Sequence, residues 1–98
     1  MKFQLQTIRV KVDRNFEEFA QKKFERCEKF FFNEPSITLT VKMEGDLYVM
    51  VANAKSKNGT IFVKEEGNDL NESVERLVKK LKNQAIKTHD KKVDMSHK

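Results

Sequence analysis

The sequence predicts a single α+β domain of order β-α-β-β-β-α, a four-stranded sheet with both helices packed on one face. Three observations carry that expectation. Two stretches place apolar residues at helical spacing, one stretch alternates apolar and polar residues, and the chain breakers fall at the joints between such stretches. The single Pro is Pro35, and the three Gly are Gly45, Gly59 and Gly67. At 98 residues the chain fits one domain on a scale of roughly 100 to 200 residues each. A domain this short buries only about 60–70% of its unfolded surface, so its core is thin. The domain is expected over residues 1–90, followed by a short polar tail over residues 91–98.

Residues 3–7 read as a strand with Phe3 and Leu5 on one face. The apolar phase then moves to Ile8, Val10 and Val12, which implies a bulge or break near Thr7. Asp13 suits the N-cap of a helix over residues 14–31. On its apolar stripe lie Phe16, Phe19, Ala20, Phe24, Cys27 and Phe31, with the stem of Lys23. Asn33-Glu34-Pro35 ends this helix, because the residue before Pro is pushed out of the α region. Ile37, Leu39, Val41 and Met43 alternate with Thr38, Thr40, Lys42 and Glu44, the mark of a half-buried strand. Gly45-Asp46 turns the chain into a third strand over residues 47–55, so continuously apolar that its inward face stays open. Asn58-Gly59 is a strong hairpin signal and leads into an antiparallel strand over residues 60–65. Asp69 as N-cap with Glu72 three residues on forms a variant capping box. The helix it opens carries its stripe on Leu70, Val74, Leu77, Val78, Leu81 and Ala85.

Lys and Arg number 20 against 15 Asp and Glu, a net charge of +5 that favours polyanionic partners. The excess is concentrated: residues 76–92 hold seven basic side chains against one acid, Asp90. Arg76, Lys79, Lys80 and Lys87 project away from the Leu77/Leu81 stripe, and Lys22, Arg26 and Lys29 do the same on the first helix. Packed side by side, the helices would join these stripes into one positive surface. A merely solvated face would mix its signs more evenly than the second helix does.

Other chemistry finds little support. His89 and His97 lie eight apart with no Cys near them, short of a metal site. Cys27 lies on the core stripe and reads as a structural thiol. Glu65 and Glu66 are adjacent in a strand, so their carboxylates point to opposite faces. No Gly-rich phosphate loop is present. The expectation is a protein that is not an enzyme and takes no cofactor, metal or small-molecule substrate. No apolar run suggests a signal peptide or a membrane span. The lone Cys27 fits a reducing compartment, so a soluble, cytoplasmic protein is expected. Most Phe fall on the core stripes, whereas Phe30, Phe32 and Phe62 are candidates for exposure and base stacking.

Glu66, Asp69-Leu70, Val74-Glu75, Leu77-Val78, Lys80-Leu81, Gln84, Lys87 and Asp90-Lys91 together resemble the second helix of the ribosome hibernation-promoting factors. Lys23-Phe24, Arg26, Glu28 and Phe31 match that family's first helix, and Val10, Val12 and Val41-Lys42 its strands. The resemblance spans about residues 3–91. It implies a fold similar to double-stranded RNA-binding domains. It implies a bacterial stress or stationary-phase factor that binds the small ribosomal subunit and the 70S ribosome. There it would occupy the decoding channel and inhibit translation by occlusion. Carried over by position, the ribosomal RNA contacts are Lys22, Lys23, Arg26, Lys29, Arg76, Lys79, Lys80, Lys82 and Lys87. The chain resembles the family's short form, which would need a second factor to dimerise ribosomes. Two other functions stay open: a general double-stranded RNA-binding module, and a protein-interaction modulator of transcription.

Overall fold

A computed structural model describes residues 2–31, 34–56 and 59–96, with side chains through residue 87. The elements are β1 (Lys2–Ile8), α1 (Arg14–Glu25), a 3₁₀ turn (Glu28–Phe30), β2 (Ser36–Glu44), β3 (Leu47–Ser56), β4 (Gly59–Gly67) and α2 (Leu70–Ser96). The sheet order follows the chain, β1-β2-β3-β4. β1 and β2 pair in parallel, with α1 as their crossover, and the two later pairings are antiparallel.

Alternation decides which side chains meet the helices. Ile37, Leu39 and Val41 of β2 join Met50, Ala52 and Ala54 of β3 and Val63 of β4 in one core with Phe16, Ala20, Phe24, Val74, Leu77 and Leu81. Both helices therefore cover the same face. The ambiguity of β3 has a physical cause: apolar residues occupy both of its faces. Val49 is 1% exposed yet lies on the helix-free side, across from Lys42 and Glu66 in register.

Both N-caps form as expected, Asp69 through its own side chain, while the Glu72 carboxylate faces Arg76. Phe16 N–H donates to Asp13 Oδ1 (2.8 Å) and Glu72 N–H to Asp69 Oδ1 (2.9 Å), satisfying donors that each helix leaves open. The β2–β3 turn rests on Gly45 at φ 59°, a backbone region favouring Gly. Of the expected Asn-Gly turn, Lys57 and Asn58 lie outside the described residues, and Ser56↔Gly59 closes the ladder beside them.

Three boundaries differ from the sequence reading. β1 holds its parallel register through Ile8↔Lys42, and the break comes at Arg9, φ 59°. That one left-handed residue resets the phase, so Val10 and Val12 return to the core edge while Ile8 stays exposed. α1 stops at Glu25 rather than reaching residue 31. Cys27 N–H donates to the Phe24 carbonyl and Phe30 N–H to the Cys27 carbonyl, both at 3.0 Å, the shorter spacing of a 3₁₀ turn. The aromatic run beginning at Phe30 has poor helix propensity, which favours the tighter winding. Of the expected Asn33-Glu34-Pro35 stop, Asn33 lies outside the described residues, as does Phe32. The third difference is at the C-terminal end, where α2 carries on through Ser96 and takes in most of the stretch expected as a polar tail.

Candidate nucleic-acid interface

α1 and α2 lie side by side on the sheet, and a groove runs between them near the C-terminal end of α1. Lys23 and Arg26 enter it from α1 and its cap, Lys29 from the 3₁₀ turn, and Lys79 and Lys82 from α2. Cys27, Phe30 and Val78 form its apolar surface, and Glu75 is the one acid among its lining residues. The helical period explains the α2 contribution, since residues 75, 78, 79 and 82 share one side of the cylinder.

Within the groove the cations are differently engaged. Lys23 Nζ lies 3.4 Å from Glu75 Oε1 and 5.4 Å from the centre of the Phe19 ring. Lys29 Nζ and Lys82 Nζ each lie 5.4 Å from the centre of the Phe30 ring, within the range of a cation–π contact. Among the described residues, no carboxylate lies within ion-pair distance of Arg26, Lys29, Lys79 or Lys82. Cys27 is buried beneath, with Sγ 3.7 Å from the Val78 carbonyl. Burial pushes its thiol up to about 11, only partly opposed by Lys82. A protonated, covered thiol is no nucleophile.

The remaining candidates stand elsewhere. Lys80 is turned the other way: its Nζ sits 2.9 Å from Glu65 Oε2 and donates to the Lys64 carbonyl at 3.0 Å. Arg76 Nη2 is 3.7 Å from Glu72 Oε1 and packs over Gly67. Lys87 is exposed about two helical turns beyond Lys80, and Lys22 is exposed on α1 outside the groove. The single positive surface expected from the two stripes is thus divided. Five candidates converge on the groove, while Arg76, Lys80 and Lys87 follow the β4 edge of α2.

Glu65 and Glu66 do diverge, the first to Lys80 and the second to Lys64 across 3.7 Å on the open sheet face. The His89 side chain and all of His97 lie outside what is described. Sequence reasoning missed Glu75 as a groove residue and Glu65 as the partner of Lys80. The helical period places Glu75 beside Val78 and Lys79, which was signal enough for the first. The second depends on the register of β4 against α2, which no local pattern encodes.

The protein is thus a small α+β domain whose two helices and 3₁₀ turn bring five basic side chains together in one groove. The chain is a member of the family described as sigma 54 modulation protein / S30EA ribosomal protein, whose model matches residues 3–93. This is the hibernation-promoting factor family that the sequence resembles, ribosome-associated and not a known enzyme family. Comparison with curated proteins finds no match. Among solved structures, the N-terminal domain of Protein Y from Thermus thermophilus is similar at TM-score 0.81 and 19% identity, covering 89% of this chain and 98% of that one. A ribosomal subunit interface protein from Coxiella burnetii is similar at TM-score 0.81 and 24% identity, covering 92% and 99%. At these identities the two likenesses speak for the fold.

Proposed function

We propose that this protein binds the small ribosomal subunit, seats its interhelical groove on ribosomal RNA in the decoding channel, and inhibits translation by occluding messenger and transfer RNA. The observation that carries this reading is the groove itself, where four cations with no acidic partner among the described residues converge beside a fifth that has one. Holding such like charges side by side is unfavourable, and a run of phosphates relieves it. The family supports the choice of ribosomal RNA as the polyanion. The similar Coxiella burnetii protein is a ribosomal subunit interface protein, which points the same way. The contacts would come from Lys23, Arg26, Lys29, Lys79 and Lys82 first, with Lys22, Arg76, Lys80 and Lys87 at the margins. The 70S ribosome would be a partner, and pairing of ribosomes would fall to a second factor. The site of action would be the cytoplasm. Among the described residues no helix is long and apolar enough to cross a membrane.

A second reading, modulation of transcription through protein contact, draws on Phe62, which is 64% exposed on the helix-free face of the sheet. The two part company under one experiment. Purified protein is pelleted with ribosomes and with free subunits through sucrose, at two salt concentrations, with a duplex RNA competitor. Retention on the small subunit or 70S particle is expected despite the competitor. Lys79→Glu with Lys82→Glu should weaken it by about 100-fold, the equivalent of two charge-assisted contacts at ~1.5 kcal/mol each. Reversal at Lys80 is avoided, because it would set a second carboxylate against Glu65. Unchanged retention of the double variant, with native circular dichroism, refutes the reading. Loss on Phe62→Ser instead would move the function to the sheet face, and release by duplex RNA would make the protein a general RNA binder.

A further inference from the structure

We propose that the interhelical groove receives one unpaired nucleotide of the bound RNA, its base stacked on Phe30 and its flanking phosphates held by Arg26, Lys29, Lys79 and Lys82. This rests on the RNA-binding reading above and adds to it the conformation of the RNA that the site accepts.

The argument starts from where Phe30 is not. Every other Phe of α1 and the turn after it whose side chain is described packs on the core: Phe16 and Phe24 within it, Phe19 and Phe31 against it. Phe30 does not. It lines the groove, half-buried, on the 3₁₀ turn that replaces the last winding of α1. The tighter winding is what turns this ring toward α2, within reach of Lys82 as well as its neighbour Lys29.

Phosphate recognition alone has no use for an aromatic ring at the centre of a cationic cluster. A ring and a set of ammonium groups together match a nucleotide, which carries a flat base and an anion on one scaffold. The base must be unpaired. In an A-form duplex the base faces are buried in the stack, and a ring recessed between two helices cannot reach them. An extruded base presents its face freely. The two ammonium groups lie over the ring, each 5.4 Å from its centre, a weak attraction at an exposed site. Both lysine stems are long and flexible, so the ammonium groups can move to phosphates and leave the ring to the base. Below the ring, the Cys27 thiol is engaged by the Val78 carbonyl and Val78 is apolar. Among the described residues the groove floor therefore holds no spare polar group for reading a base edge, and the site should accept any of the four bases.

The test uses a short RNA hairpin bearing a single-nucleotide bulge in which the bulged base is 2-aminopurine, and the same hairpin without the bulge. Binding of the wild-type protein should quench the 2-aminopurine fluorescence, and the bulged hairpin should bind about tenfold more tightly than the paired one, as one base–aromatic stack implies. Phe30→Leu should remove both the quench and the preference while leaving the salt dependence unchanged, since no charge is lost. Phe30→Tyr, which keeps the ring, should retain both. A wild-type protein that binds the bulged hairpin with no quench and no preference overturns the proposal without any variant. If Phe30→Leu retains the quench and the preference of wild type, the proposal also fails. When Lys79→Glu with Lys82→Glu still loses the ribosome in that case, the RNA-binding reading survives. If the lysine double variant also binds ribosomes normally, the RNA-binding reading fails and takes this inference with it.

Discussion

Gly67 lies where β4 gives way to α2, and a methyl group there would meet Ser73 Oγ at 2.6 Å and Arg76 Nη2 at 2.8 Å. The two neighbours differ in their ability to yield. Arg76 is exposed and can swing away. Ser73 is 0% exposed, and its hydroxyl has no hydrogen-bond partner among the described residues. Gly67→Ala should therefore cost about 1–3 kcal/mol as overpacking against a fixed atom. Ser73→Ala should be neutral or stabilising by about 1 kcal/mol, because it removes a buried polar group that nothing satisfies. The telling quantity is the coupling. With Ser73→Ala already in place, Gly67→Ala should cost at least ~1 kcal/mol less than in the wild type. Urea denaturation midpoints of the four proteins measure it. Strict additivity would mean that α2 shifts as a body to admit the methyl group, contrary to the close approach described here.

Between elements, Lys80 and Glu65 link α2 to the edge of the sheet beside its buried apolar stripe. The hydrogen bond from Lys80 holds the Glu65 carboxyl below its usual 4.5, helped by the charges of Lys80 and Arg76 and opposed by partial burial. A carboxyl lowered in the folded state contributes stability that is present above the unfolded value and drains away as pH falls through the folded one. Wild-type stability should thus fall on acidification from about pH 4.5 downward, and Glu65→Gln should fall less steeply. Above pH 6 the variant should be the less stable of the two, and the curves should converge at the acid end. Thermal melts across pH 2.5–7 would show this, and parallel curves would mean that the ion pair contributes nothing. The same pair marks how far the sequence could be read. The strands, both N-caps and the apolar stripes were legible because each depends on a period or on a residue three positions away. Lys79 and Lys80 looked alike because both sit opposite the core stripe. One helical step of about 100° sends the first to the groove and the second to β4, and only the register of β4 supplies the carboxylate that makes the difference. Arg9 was illegible for a related reason: a left-handed backbone at a non-Gly residue leaves no compositional trace.

The whole molecule is electrically two-sided. On the open sheet face, charged side chains neutralise one another in place, Lys42 with Glu44 at 3.0 Å and Lys64 with Glu66 at 3.7 Å. On the helix side Arg26, Lys29, Lys79 and Lys82 of the groove have no acidic partner among the described residues. The net charge of +5 is thus less important than its location, and two charge-matched variants separate the two. Lys79→Glu with Lys82→Glu reverses two lysines in the groove. Lys2→Glu with Lys55→Glu reverses two exposed lysines of the sheet, at register positions that both face Ser36, and lowers the net charge by the same amount. If binding were attraction between a basic protein and an acidic ribosome, the two variants would weaken it equally, through the association rate. If phosphates occupy the groove, only the first removes contacts that release counterions. The plot of log affinity against log salt should then flatten by about 1.4–1.8 for the groove pair, at 0.7–0.9 per phosphate contact, and keep its wild-type slope for the sheet pair. Equal slopes in the two variants would assign the binding to net charge and leave the groove without a role. A flattening confined to the groove pair ties the affinity to the place where α1, the 3₁₀ turn and α2 bring five cations into one groove.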